Sequence, residues 1–201
     1  HESVLETCHD LSAGGGSVFG GEKDGVEVIY LPVSKEGIVD LAKLKSALNE
    51  RTVLVSIMYA NNETGVIHPI AEISKIIRNF RNSKLETLNS NQALNSNIKI
   101  QNKLINSSTH QLANYPLFHT DAVQAFQYLD CNVQKLGIDL LTLSAHKIYG
   151  PKGIGVLCVR RQIANGQWPI APIVTGGGQQ QGKHSGTENV PYIVGFAKAV
   201  E

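Results

Sequence analysis

The sequence predicts an α/β domain with a largely parallel sheet flanked by helices, and three observations predict it. Short apolar runs of strand length recur along the chain, stripes at helical spacing fall between them, and one run is almost continuously apolar and β-branched. At 201 residues the chain is long enough to bury a sizeable core. With 42% hydrophobic and 17% charged residues it reads as an ordinary soluble globular protein rather than a disordered one.

Residues 1–11 (HESVLETCHDL) carry Val4, Leu5, Cys8 and Leu11 at helical spacing, so they read as a helix that lacks its natural beginning. The glycine-rich residues 12–25 read as a flexible surface loop. They are not a phosphate-binding P-loop, because no strand precedes them and no Gly-Lys-Ser/Thr ends them. Residues 26–31 (VEVIYL), between Gly25 and Pro32, predict a strand. Asp40 then caps a helix whose apolar stripe is Leu41, Leu44 and Leu48. Residues 52–58 (TVLVSIM) suit a strand buried on both faces of a parallel sheet. Residues 69–80 read as a helix, with Pro69 in its first turn and Ile70, Ile73, Ile76 and Ile77 on one face. Residues 117–120, 140–144 and 154–159 are three further strands, and 190–200 is a closing helix.

Residues 82–116 differ. They are rich in Asn, Ser and Gln with weak periodicity, and so read as a polar surface insertion between a helix and the next strand. A formal net charge of +1 gives no global argument for nucleic acid, membrane or a strongly acidic partner. No apolar run approaches the roughly 20 residues that cross a bilayer, and no signal peptide opens the chain. The three cysteines, Cys8, Cys131 and Cys158, are odd in number and lack a C-x-x-C pair. That argues against a disulfide framework or a structural zinc site and fits a reducing cytoplasm. Cys158, inside an apolar run, reads as a buried structural thiol, and Cys131 as inert.

Four segments carry chemistry. In Ser144-Ala145-His146-Lys147 a strand delivers a lysine to the carboxyl edge of a sheet, where open α/β sheets bind ligands. Such a lysine is either solvated or, partly desolvated, able to form a Schiff base, with the hydroxyl and imidazole before it available to a phosphate. In His119-Thr120-Asp121-Ala122-Val123-Gln124 a carboxylate ends a strand. It either caps the next helix or holds a heterocycle nitrogen, with Gln124 near a ring hydroxyl. Asn61-Asn62-Glu63-Thr64-Gly65 is a turn on residue type alone. The glycines and hydroxyls of residues 176–189 could approach a phosphate or serve as flexible linkage.

Together these segments resemble the cysteine desulfurases and selenocysteine lyases, in the class-V aminotransferase branch of the fold-type I pyridoxal-phosphate enzymes. The resemblance rests on residues 59–65 (YANNETG), 119–124 (HTDAVQ), 144–153 (SAHKIYGPKG) and 185–189 (SGTEN), in the family's order, and covers nearly the whole chain. It implies that residues 1–201 form an incomplete pyridoxal-phosphate-binding large domain of a transferase, with the polar insertion at 82–116. On the same grounds an N-terminal segment and a C-terminal small domain are expected to be absent. Lys147 would form the Schiff base with pyridoxal 5'-phosphate and later move protons. Asp121 would pair with the pyridinium nitrogen, Gln124 with the ring hydroxyl, and His1 would stack on the ring. Asn62 would sit beside the ring and the substrate carboxylate, Ser144 and His146 would contact the phosphate, and Thr187 would reach the phosphate of the other subunit.

The implied activity is release of sulfur from L-cysteine, leaving alanine and a persulfide on an enzyme cysteine, for iron–sulfur cluster, thio-cofactor or thiolated tRNA synthesis. The implied partners are a second copy of the chain and a sulfur-acceptor or iron–sulfur scaffold protein, with no direct contact to nucleic acid or membrane. In this family the acceptor cysteine lies beyond the Ser-Gly-Thr segment, so none of Cys8, Cys131 or Cys158 takes that role, and the chain alone is expected to be inactive in sulfur transfer. His184 stands where relatives usually have arginine before Ser-Gly-Thr, which weakens a fixed ionic contact there. Two other readings stay open: a selenocysteine lyase or another β-eliminating relative, and a non-catalytic fragment or interaction module with the same fold.

Overall fold

A computed structural model of the chain describes residues 1–12, 26–94, 115–160, 170–172 and 174–201. Four strands, β1 (Leu54–Met58), β2 (Leu117–Asp121), β3 (Leu140–Ser144) and β4 (Gly155–Val159), form one sheet in that spatial order. β1, β2 and β3 are parallel, and β4 runs antiparallel to β3. The helices are α1 (Glu2–Ser12), α2 (Leu41–Ala47), α3 (Ile70–Leu94), α4 (Val133–Leu136) and α5 (Val190–Val200).

The isoleucine stripe decides how α3 sits. Ile70, Ile73 and Ile77 are buried, together with Val55 and Ile57 of β1, Phe118 of β2 and Leu141 of β3. Spacing by two along each strand puts those four strand residues on one face, and the isoleucines at i, i+3 and i+7 meet it. Asp40 begins α2 as expected, its carboxylate accepting from the N–H of Ala42 (2.8 Å) and Lys43 (3.0 Å). Leu44 carries α2 into the same core. α4 ends on Gly137, whose φ of +68° is left-handed. A Cβ there would lie 2.4 Å from Ser74 Oγ, which donates to the Gly137 carbonyl (2.8 Å) and ties α3 to the turn before β3.

Charges close the amino edge of the sheet. Asp139, fully buried before β3, is paired with Arg81 of α3 and with Arg160 after β4 (2.7 Å), and accepts from the Phe118 N–H (2.8 Å). Arg81 also donates to the Pro116 carbonyl (3.0 Å from Nε). Four sequence-distant stretches are thereby held at one edge.

Four expectations need correction. Residues 26–31 form no strand, since no described strand lies beside them to accept a ladder, and Ile29 and Tyr30 are exposed. β1 is not buried on both faces: its burial alternates, because α3 covers one face and no described helix covers Leu54 and Ser56 on the other. The helix expected at 69–80 continues to Leu94, so the first part of the expected polar insertion is helical. The rest, 95–114, lies outside the described residues, as do residues 13–25 of the glycine-rich loop. Cys158 is exposed rather than buried, because β4 is an edge strand with both faces largely open. The expected strands at 140–144 and 154–159, the strand beginning at 117 and the helix at 190–200 stand within a residue of their predicted bounds.

Candidate active site

Parallel strands end together, so the carboxyl ends of β1, β2 and β3 bring three of the four segments to one edge. Past Ser144, residues Ala145–Ile148 make a single 3₁₀ turn, in which positions three apart share a side. Ala145 and Ile148 therefore face inward, buried with Phe196 of α5, while His146 and Lys147 face outward. The turn closes through Gly150 N–H to the Ala145 carbonyl (2.9 Å), with Tyr149 left-handed at φ +66°. A Cβ on Gly150 would come within 2.9 Å of the Ala145 Cβ, so a side chain there would push the lysine turn off its seat. Ser144 Oγ and His146 Nδ1 are 2.8 Å apart, and Lys147 Nζ has no hydrogen bond among the described residues.

Asp121 ends β2, opposite Met58 of β1 and Thr142 of β3. Its Oδ1 accepts from the Val123 N–H (2.9 Å), so it caps the following turn, while Oδ2 has no hydrogen bond among the described residues. The capping expectation is therefore met on a turn rather than on a helix, and it leaves one oxygen open. The Asn61 side chain closes its loop by accepting from the N–H of Glu63 and Thr64 (2.9 Å each), and Gly65 turns it at φ +72°. That leaves Asn62 exposed on a cleft of about 560 Å³, which Gln124, Tyr128 and Leu129 also line.

The structure thus brings Asn62 and Gln124 to one cleft, and Lys147, Ser144 and His146 to the neighbouring turn. His1 precedes α1, its Nδ1 2.9 Å from Ser3 Oγ, and no hydrogen bond joins it to Lys147, Asp121 or Asn62. Thr187 is exposed in the loop of residues 176–189, and no hydrogen bond joins it to Ser144, His146 or Lys147. That loop is more organised than linkage requires. Gly178 N–H donates to Ser185 Oγ (3.2 Å), Gly186 N–H to Gln179 Oε1 (3.0 Å), and Gln180 to Glu188 (2.7 Å).

One group near the edge carried no sequence signal of its own. On the Asp121 face, one step below it, Ser56 Oγ lies 2.8 Å from His119 Nδ1, and His119 Nε2 lies 3.3 Å from Thr142 Oγ1. Burial pushes the His119 imidazole below its ordinary pKa, and the Asp121 charge pulls less strongly the other way. The three residues come from three strands, and only their register shows that they meet. Among the cysteines, burial and Asp130 push the Cys131 thiol up to about 11, in keeping with an inert thiol.

A carboxylate that ends one parallel strand and a lysine in the turn after its neighbour give an α/β domain with both groups at the carboxyl edge of its sheet. The sequence matches the aminotransferase class-V family over residues 20–102 and 93–201, and the chain belongs to that family. It is 41% identical over 201 residues to the cysteine desulfurase IscS of Dictyoglomus turgidum, covering 100% of this chain and 39% of that protein. It is 43% identical over 199 residues to the mitochondrial cysteine desulfurase of Candida albicans, covering 99% of this chain and 31% of the relative. Among solved structures, SspA in complex with cysteine superposes with a TM-score of 0.70 at 32% identity, covering 100% of this chain and 44% of that one. The chain therefore spans well under half the length of these relatives.

Proposed function

We propose that this chain is the cofactor-holding part of a pyridoxal-phosphate-dependent cysteine desulfurase. The observation that carries the reading is that Asp121 ends β2 and Lys147 lies in the turn just after β3, its parallel neighbour, in a chain 41% identical to a cysteine desulfurase. The residues present suit the group. Lys147 Nζ, Asp121 Oδ2 and the Gln124 amide have no hydrogen-bond partner among the described residues, and Ser144 and His146 form a paired hydroxyl and imidazole. An amine for an aldehyde, an anion for a ring nitrogen, an amide for a ring hydroxyl and two donors for a phosphate are the groups this cofactor needs.

Bound there, the cofactor would supply an electron sink for the substrate Cα. Lys147 would hold the cofactor covalently and move the Cα proton on its Nζ. Asp121 Oδ2 keeps the proton on the ring nitrogen, Gln124 donates to the ring hydroxyl, and Asn62 orients the substrate carboxylate. Ser144 and His146 bind the phosphate, Thr187 serves the phosphate across a homodimer, and His1 covers the ring. L-cysteine is the substrate: the thiolate of a further cysteine would attack its sulfur, the substrate C–S bond would break, alanine would leave and that cysteine would become the persulfide. Cys131 is not that cysteine, its thiol being held protonated by its raised pKa. The destination we propose is a sulfur-acceptor or iron–sulfur scaffold protein in the cytoplasm. No described helix is long and apolar enough to cross a membrane.

The test is to add pyridoxal phosphate to the purified chain, reduce with borohydride, and map the label by mass spectrometry, with circular dichroism as a check on folding. Stoichiometric label on Lys147 is expected. Folded protein labelled at random over surface lysines would overturn the cofactor-holding role. Turnover of L-cysteine against L-selenocysteine by the protein containing this chain then separates a desulfurase from a selenocysteine lyase.

A further inference from the structure

We propose that Ser56 and Thr142 hold the His119 imidazole away from Asp121, making His119 and its two hydroxyl partners positioning residues for that carboxylate. The inference rests on the reading that Asp121 Oδ2 receives a ring nitrogen, and it begins from register. Ser56 is the register partner of His119, and Thr142 is the register partner of Asp121. His119 and Asp121 are two residues apart on one strand, so both side chains leave the same face as neighbours.

An imidazole N–H next to a carboxylate with an open oxygen has a strong partner within reach, since hydrogen bonds to an ionised group are roughly twice as strong as neutral ones. Left free, His119 would turn to Asp121 and occupy the oxygen. It does not, because both ring nitrogens are engaged elsewhere: Nδ1 with Ser56 Oγ at 2.8 Å and Nε2 with Thr142 Oγ1 at 3.3 Å. Each hydroxyl both donates and accepts, so the pair holds the ring in either neutral tautomer. Burial of the ring works in the same direction, by disfavouring the imidazolium that would bind a carboxylate most tightly.

Packing alone does not explain the arrangement. His119 and Thr142, on the two inner strands, are partly buried and give up some hydration for bonds that are each nearly neutral in net stability, while Ser56 closes the group from the exposed edge strand. Apolar residues would fill the two inner-strand positions at lower cost, as Leu117 and Leu140 do on the same face one step down. What the polar ladder adds is a partly buried imidazole beneath Asp121 that does not compete for it.

The test compares wild type, the double variant Ser56→Ala/Thr142→Val and the triple variant that adds His119→Phe. Pyridoxal phosphate affinity is read from the absorption of the lysine-bound cofactor, and the imidazole state from the ¹⁵N shifts of His119 in the cofactor-free chain. The double variant should bind the cofactor about fivefold more weakly, the equivalent of roughly one hydrogen bond. Its His119 nitrogens should shift toward the charged form, and Asp121→Asn should abolish that shift. The triple variant should recover affinity to within about twofold, because the competing group is gone. A role confined to stability predicts no such recovery. Wild-type affinity in the double variant, or no recovery in the triple, would overturn the inference. If wild type takes no label on Lys147, the functional reading falls, while the ¹⁵N shifts still decide whether the hydroxyls restrain the ring.

Discussion

The two edges of the sheet use charge in opposite ways. At the amino edge, the Asp139 carboxylate is 0% exposed and lies between Arg81 and Arg160, with the Phe118 N–H as a third partner. At the carboxyl edge, Lys147 is exposed without a partner among the described residues, and Asp121 keeps one oxygen open. A buried charge is tolerable only when surrounded by its complements, so the first arrangement serves the fold. An exposed charge without a partner costs the fold nothing and stays available to a ligand. The comparison separates a group that stabilises the domain from one that acts on something else.

The largest effect that tests this separation is all-or-none. Lys147→Ala should abolish borohydride-trapped cofactor while moving the unfolding free energy by no more than about 0.5 kcal/mol, as for an ordinary surface substitution. Loss of stability with retained label would reverse the assignment of the carboxyl edge.

Asp139→Ala should do the opposite. Removing the anion leaves the two guanidiniums and the Phe118 N–H facing a space without charge, at a cost of about 3–5 kcal/mol in denaturant unfolding. Within the cluster, Arg81→Gln should cost more than Arg160→Gln. Arg81 is 12% exposed and also donates to the Pro116 carbonyl, whereas Arg160 is 27% exposed. Equal losses would mean that the cluster does not act through burial.

These edges were unequally legible in the sequence. The carboxyl edge could be read because its residues are contiguous: an apolar run, then Ser-Ala-His-Lys, or a strand ending in Asp with Gln three further on. The isoleucine stripe of α3 and the Asp40 cap were legible for the same reason, being local. Arg81, Asp139 and Arg160 meet only through topology, as do Ser56, His119 and Thr142, and no spacing announces either group. The misread strand at 26–31 has the composition of a strand but no described neighbour to pair with. The misplaced Cys158 lies in an apolar run that happens to be the edge of the sheet. Composition reports what a segment can do, and its partners decide what it does.

Next in size is the response to acid, which belongs to neither edge. Burial depresses the pKa of His68 and His119 below the ordinary 6.5, and His68 Nδ1 accepts from the Val39 N–H (3.3 Å), which an added proton would break. Between 6.5 and each lowered value the unfolded chain binds more protons than the folded one, so stability falls as pH falls through that window. The urea midpoint should drop between about pH 7.5 and about pH 5.5, and less steeply in His119→Phe. A midpoint that does not move would show that neither ring is kept neutral by burial.

The smallest effect is the sharpest comparison of the two edges, because it makes one chemical change at each. Asp121→Asn keeps an oxygen to accept from the Val123 N–H and loses only a charge that has no cationic partner among the described residues. Its effect on unfolding should stay within about 0.5 kcal/mol. Asp139→Asn keeps the shape but removes an anion with two cationic partners, and should cost several times as much. If the two amides destabilised the domain equally, Asp121 would be a structural carboxylate like Asp139, and its open oxygen would lose its meaning as a place for a ring nitrogen.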